Sequence, residues 1–141
     1  MIEELESGRT HLAAPALLAL RTHIPSAEEL VDRIDRVQRP EGYRVAASFE
    51  AGVDHAVAAV GFRQGNMLWC GRHIYIDDLS TLPDFRRRGH AAALLDWVAD
   101  EARRLGCEQV DLDSGTPRHD AHRRYLASGY RITSFHFVRD I

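Results

Sequence analysis

The sequence predicts an α/β fold of the α+β kind, a mixed central β-sheet flanked by about four helices, and three observations carry the prediction. Between Tyr43 and Thr81, apolar residues alternate with polar or small ones in runs broken by glycine-containing turns, as antiparallel strands do. After Gly89 the period changes: Ala91, Leu94, Leu95, Val98, Ala102 and Leu105 recur at helical spacing, and strand-like and helix-like stretches then take turns. Strands on either side of a crossover helix run parallel, so the sheet is mixed. At 141 residues the chain has the length of one domain and enough residues to bury a core, and residues 1–141 are read as a single unit without repeat, linker or low-complexity tract.

The elements follow in order. Ile2 to Leu5 reads as a short opening strand, and Leu12, Leu17, Leu18 and Leu20 as a helix that begins by Pro15 and fades near His23. Ser26 and Glu29 make a capping box for a second helix, whose apolar face is Leu30, Val31, Ile34 and Val37 and which Pro40 stops. Tyr43, Val45, Ala47 and Phe49, then Ala56, Ala58, Val60 and Phe62, alternate on either side of Gly52 as a β-hairpin. A second turn near Gly65 and Asn66 leads to a third strand that ends in the run from His73 to Thr81, and Met67, Leu68 and Trp69 read as core or an edge contact.

A helix then runs from Gly89 to Leu105, stopped by Gly106. A strand from Gln109 to Asp113 follows, with Val110 and Leu112 inward. The last helix spans His119 to Ala127, with Thr116 as N-cap and Pro117 at its first position, and Gly129 ends it. A final strand at FHFVR is placed to pair across a homodimer.

Composition excludes several functions. With 18 Lys+Arg against 21 Asp+Glu the net charge is -3, which argues against a nucleic-acid partner and makes any anion site local. The longest apolar run, Leu12 to Leu20, is too short to span a bilayer and lacks the flanks of a signal peptide, so the expectation is a cytoplasmic protein with no membrane partner. Cys70 and Cys107, outside any CxxC, are assigned to packing as thiols.

The stretch with the most chemical content is Thr81 to Leu95, TLPDFRRRGHAAALL: a strand end, a basic turn with one glycine, and a helix start. Free N–H groups at a helix start carry partial positive charge, and such a turn forms a pocket for an anion, most often phosphate. Arg86, Gly89 and Ala91 fit Arg/Gln-x-x-Gly-x-Gly/Ala, which resembles the acetyl-CoA pyrophosphate signature of the GNAT family of N-acetyltransferases. A second stretch, AHRRYLASGYRI, is similar to that family's fourth helix, with Ala121, Tyr125, Gly129 and Tyr130 in the corresponding places and Arg118 where many members carry asparagine. The order of elements also looks like the GNAT fold over nearly the whole chain, and LDSG, GYRITS and HF are similar to a group of small bacterial members.

The resemblance implies acetyl transfer from acetyl-CoA to a primary amine, by direct attack within a ternary complex and with no metal. Backbone N–H groups of Arg87, Arg88, Gly89, His90 and Ala91, helped by the side chains of Arg86, Arg87 and Arg88, would hold the pyrophosphate. Leu79, Ser80 and Thr81 would run beside the pantetheine arm, where the fourth and fifth strands splay.

Tyr125 would serve as general acid, since a phenol of pKa about 10 can protonate a thiolate of pKa about 8.5 at modest cost. Asp77 and Asp78 are the candidates for base. As strand neighbours they face opposite ways unless a bulge intervenes, and Asp77, on the face of Tyr75, Leu79 and Thr81, is the better placed. Capping a bulge, or binding a cationic substrate, are the competing roles.

The acceptor is a small-molecule or peptide amine whose identity the sequence does not encode. Asp77, Asp78, Asp111 and Asp113 could form an acidic cleft for cationic amines. His119 and His122 lack a third metal ligand at suitable spacing, and Ser114 lacks the flanking pattern of a nucleophile. A non-catalytic acyl-CoA sensor or interaction protein with the same fold is the alternative function.

Overall fold

The computed structural model describes all 141 residues. Its sheet has five strands in sequence order: β1 (Ile2–Leu5), β2 (Arg44–Ser48), β3 (Ala58–Met67), β4 (Gly71–Thr81) and β5 (Gln109–Leu112). The first four pair antiparallel and β5 joins β4 in parallel, so the mixed sheet read from the sequence is present. Four α-helices flank it: α1 (Ala14–Leu20), α2 (Ala27–Arg33), α3 (His90–Arg104) and α4 (His119–Ala127).

The alternation along the strands sorts the core into two halves. Val45, Ala47 and Ala59 point toward α1 and α2, meeting Leu17, Leu30 and Ile34. Ala46, Val60, Phe62, Ile74 and Ile76 point the other way, toward Leu94, Leu95, Val98 and Ala102 of α3 and Tyr125 of α4. Charge pairs tie the layers together at their edges. Arg44 of β2 donates to Glu4 of β1 at 2.7 Å and to Glu101 of α3 at 2.7 Å.

Half of the expected capping box forms: the Ser26 hydroxyl accepts from the Glu29 N–H at 3.1 Å, while the Glu29 carboxylate accepts from Arg33 at 3.3 Å instead of reaching back to the Ser26 N–H. Beyond Arg33 the helix widens into a π-turn (Ile34–Gln38) and then tightens into a 3-10 turn (Arg39–Glu41) that holds Pro40, whose missing N–H ends regular helix. Gly42, at φ 93, redirects the chain into β2.

Four expectations are corrected. The β3–β4 turn lies at Leu68 to Cys70, because β3 continues through Gly65 and Asn66. Gly65 is a glycine for a different reason: it sits directly opposite His73, and a Cβ there would lie 2.9 Å from the imidazole Nε2. In consequence Met67, Leu68 and Trp69 are exposed at the hairpin tip and belong to no core. At α4 the N-cap is Arg118, with Thr116 and Pro117 one turn earlier and no side-chain cap. No strand forms at FHFVR: every residue from 131 to 141 is exposed and outside regular structure.

Candidate active site

The turn before α3 is built to leave amides unspent. Arg87 is the one non-glycine residue at positive φ (63°), and Gly89 caps the helix at φ 86 with no side-chain cap. The first main-chain bond into α3 is the Ala93 N–H donating to the Gly89 carbonyl at 3.0 Å. The six amides from Arg87 to Ala92 therefore have no acceptor within the chain. Consecutive N–H groups of this kind, with the helix dipole behind them, form an anion cradle.

The side chains around the cradle have divided roles. Arg88 reaches Glu50 at 2.9 Å and lies over the Phe85 ring at 4.9 Å, and His90 bonds both Ser48 (2.9 Å) and Glu50 (2.7 Å). These two side chains brace the turn, while its backbone stays open. The Arg86 Nε donates to the Thr81 carbonyl at 3.4 Å, and Arg87 makes no ion pair. The cationic side chains free to meet an anion are thus chiefly Arg86 and Arg87.

Next to the cradle the sheet opens. β5 pairs with β4 only from His73 to Ile76, ending at Ile76 opposite Leu112. β4 continues through Asp77, Asp78, Leu79, Ser80 and Thr81 with β3 on one side and no strand on the other. Tyr125 packs in the same buried cluster as Leu79 and Ile76. Burial pushes its phenol up from the usual value, and the Arg118 guanidinium pulls in the opposite direction. At the end of β5, the Ser114 hydroxyl is buried without a hydrogen-bond partner.

On the opposite face, between α1, α2 and β4, lies a cleft of about 430 Å³ lined by Leu17, Arg21, Ile24, Tyr43, Asp77 and Asp78 among others. A β-bulge puts both aspartates there. Gly61 pairs with Asp78 and Phe62 with Ile76, leaving Asp77 as the extra residue. Asp78 is fully engaged, accepting from Arg21 Nε at 2.6 Å and from the Tyr43 hydroxyl at 2.6 Å. Asp77 accepts from Arg63 Nε at 3.1 Å through one oxygen only. Burial raises its pKa above the usual 3.8 and Arg63 opposes that rise. Of the pair, Asp77 keeps a lone-pair face toward the cleft.

The remaining carboxylates are also partnered. Asp111 bonds the buried His73 at 2.5 Å, and Asp113 accepts from the Tyr75 hydroxyl at 2.6 Å. His119 and His122 stack edge to face, with His122 Nε2 at 2.8 Å from the Gly115 carbonyl. The sequence alone passed over Arg21, Tyr43 and Arg63. Their partners lie 57, 35 and 14 residues away, and no local spacing signals such pairs.

The model of the Acetyltransferase (GNAT) family matches residues 11–130. The chain belongs to the GNAT family. It is 32% identical over 128 residues to an uncharacterised N-acetyltransferase of Bacillus subtilis, covering 90% of this chain and 88% of that one. Aminoalkylphosphonate N-acetyltransferase of Salmonella typhimurium is 38% identical over 71 residues, half of this chain and 44% of the other. Among solved structures, an aminoglycoside N-acetyltransferase in complex with CoA superposes with a TM-score of 0.84 at 16% identity, over 99% of this chain and 93% of that one. At that identity the likeness shows the GNAT fold. Acetyl transfer dependent on an acyl-CoA is the chemistry of the family. No helix in the chain is long and apolar enough to cross a membrane.

Proposed function

We propose that residues 1–141 form one N-acetyltransferase domain that moves acetyl from acetyl-CoA to a primary amine on a small molecule, by direct attack in a ternary complex in the cytoplasm. The observation that carries the reading is the run of six unspent amides beside the gap between β4 and β5. The cradle suits a diphosphate, and the gap suits an extended pantetheine lying along Leu79, Ser80 and Thr81. The 430 Å³ cleft reaches β4 from the other face at Asp77 and Asp78, immediately before that stretch. Beyond Ile76 and Leu112 the strands no longer separate the two faces, so an amine in the cleft and a thioester in the gap can meet.

In this reading the amine attacks the acetyl carbonyl, the tetrahedral intermediate collapses, and the thiolate of CoA leaves. Asp77, through its free oxygen or a bridging water, takes the proton from the amine. Tyr125, in the cluster with Leu79, gives its proton to the thiolate. Arg21 and Tyr43 hold Asp78 and so fix the cleft wall. The relatives named for aminoalkylphosphonate and aminoglycoside substrates support a small amine acceptor.

The test combines calorimetric titration of acetyl-CoA with a thiol-release assay over a panel of amines. Tyr125→Phe is expected to keep CoA affinity within about threefold while turnover falls on the order of 10²-fold or more, the usual worth of a general acid. An intact protein that does not bind acetyl-CoA would overturn the proposal, and one that binds it without turning over any amine would support a sensor instead.

A further inference from the structure

The cleft between α1, α2 and β4 has two walls of opposite chemistry. Its strand wall carries the carboxylates of Asp77 and Asp78. Its helix wall, from the end of α1 to the turn after α2, carries Arg21, His23, Arg33 and Gln38, and no carboxylate. Leu17, Leu30, Ile34 and Tyr43 also line the cleft and are buried, so its base is apolar. Asp111 and Asp113 do not line it, and the acidic character expected of an acceptor site for cationic amines shrinks to one pair.

What these groups have left to offer decides which molecule fits. Asp78 has both oxygens engaged, one by Arg21 Nε and one by the Tyr43 hydroxyl, and Asp77 has one engaged by Arg63. A single carboxylate oxygen remains, enough for one ammonium. The cations keep more. Arg21 uses Nε on Asp78 and Nη2 on the Asp77 carbonyl at 2.9 Å, which leaves Nη1 without an acceptor. Arg33 uses only Nη2, on Glu29 at 3.3 Å, which leaves both Nε and Nη1. The two side chains are 43% and 49% exposed, so these donors are open to a ligand. A guanidinium holds its N–H groups in a fixed fork that matches an oxyanion. A diamine in the same place would set its second ammonium against the arginines, and like charges so placed oppose binding.

We infer that the acceptor is a small primary amine that carries an anionic group, a carboxylate or a phosphonate, at its other end. Its ammonium meets the free oxygen of Asp77, and its anion meets Arg33 and the free Nη1 of Arg21. Size agrees with this. At 430 Å³ the cleft lies near the lower end of the roughly 300–1,000 Å³ usual for small-molecule sites. The inference rests on the proposed acetyl transfer and adds the chemical class of the amine.

The test is the thiol-release assay of the full chain with acetyl-CoA and series of amines matched in chain length: ω-amino carboxylates, ω-aminoalkylphosphonates, amino alcohols and diamines. At the best length, at least one anionic series should exceed the alcohol and the diamine in kcat/KM by about tenfold or more, the worth of a charge-assisted hydrogen bond. The faster of the two anionic series identifies the anion. Arg33→Gln should shrink that lead by about tenfold, and Arg33→Glu should turn the preference toward the diamine. Arg33 is the position to change because it is half exposed and makes one bond of 3.3 Å, whereas Arg21 also holds Asp78. Alcohols or diamines that match the anionic amines in the wild type, or a lead unchanged in both variants, would overturn the inference and leave acetyl transfer standing. A protein that binds acetyl-CoA and turns over no amine of any series would overturn both.

Discussion

Gly61→Ala is expected to be among the most damaging single-methyl additions available to this chain. Gly61 is the β3 residue at the bulge, and a Cβ built on it would lie 1.7 Å from the Tyr43 hydroxyl oxygen and 2.2 Å from Cζ. Tyr43 cannot yield cheaply. It is 2% exposed, its ring packs in the α1/α2 half of the core, and its hydroxyl donates to Asp78 at 2.6 Å. Displacing it forfeits a hydrogen bond to a charged acceptor, worth about 1.5–3 kcal/mol. Repacking an overfilled site costs about 1–3 kcal/mol more, so the loss is about 2.5–6 kcal/mol in a protein whose stability is on the order of 5–15 kcal/mol.

At about 4 °C per kcal/mol for this size, thermal unfolding should fall by roughly 10–24 °C. Because the clash is with the ring, Tyr43→Leu should partly relieve it. Denaturant titrations of the two single variants and the pair should show the pair less destabilised than the sum, by at least about 1 kcal/mol. Melting of Gly61→Ala within about 3 °C of the parent, or strict additivity, would refute the placement of Tyr43 across the bulge.

Other outcomes follow from the charges. If Asp77 is the base, the acid limb of kcat/KM lies above the usual carboxylate value of 3.8, because burial raises its pKa; Asp77→Asn should remove that limb and lower the rate on the order of 10²-fold or more. Arg63 opposes the rise, so Arg63→Gln should move the limb to still higher pH, and a pH–rate profile reads both. Glu101 is held down to about 2 from the usual 4.5, by hydrogen bonds from Arg104 first and Arg44 next. Its folded pKa is depressed, so the stability it confers is complete above about 4.5 and is lost as pH falls through about 2. Acid unfolding curves of Glu101→Gln should accordingly lie lower than the parent near neutrality and converge with it in strong acid.

The sequence is informative where a feature is local. The Ser26 N-cap, the glycines that end helices, the period change after Gly89 and the basic turn each depend on residues within a few positions, and each lies where the spacing puts it. Features set by distant partners are hidden. Gly65 reads as a turn residue because turns are glycine's commonest use, whereas here it makes room for an imidazole on the facing strand. Asp77 and Asp78 share a cleft only because β4 carries an extra residue relative to β3, which no pattern within β4 reveals. The polar frame of the cleft, from Arg21, Tyr43 and Arg63, comes from three separate elements. FHFVR has strand chemistry without a strand partner in its own chain, and so a local reading assigns it a structure that it does not have by itself.

The role of the cradle is most directly measured by following the backbone amides of Arg87 to Ala92 in ¹⁵N-resolved NMR spectra during titration with CoA and, separately, with pantetheine. A diphosphate held by main-chain N–H groups predicts saturable shifts at these six amides with CoA and none with pantetheine, which lacks the diphosphate. Amides that stay unmoved at saturating CoA, or that move equally with both compounds, would contradict it.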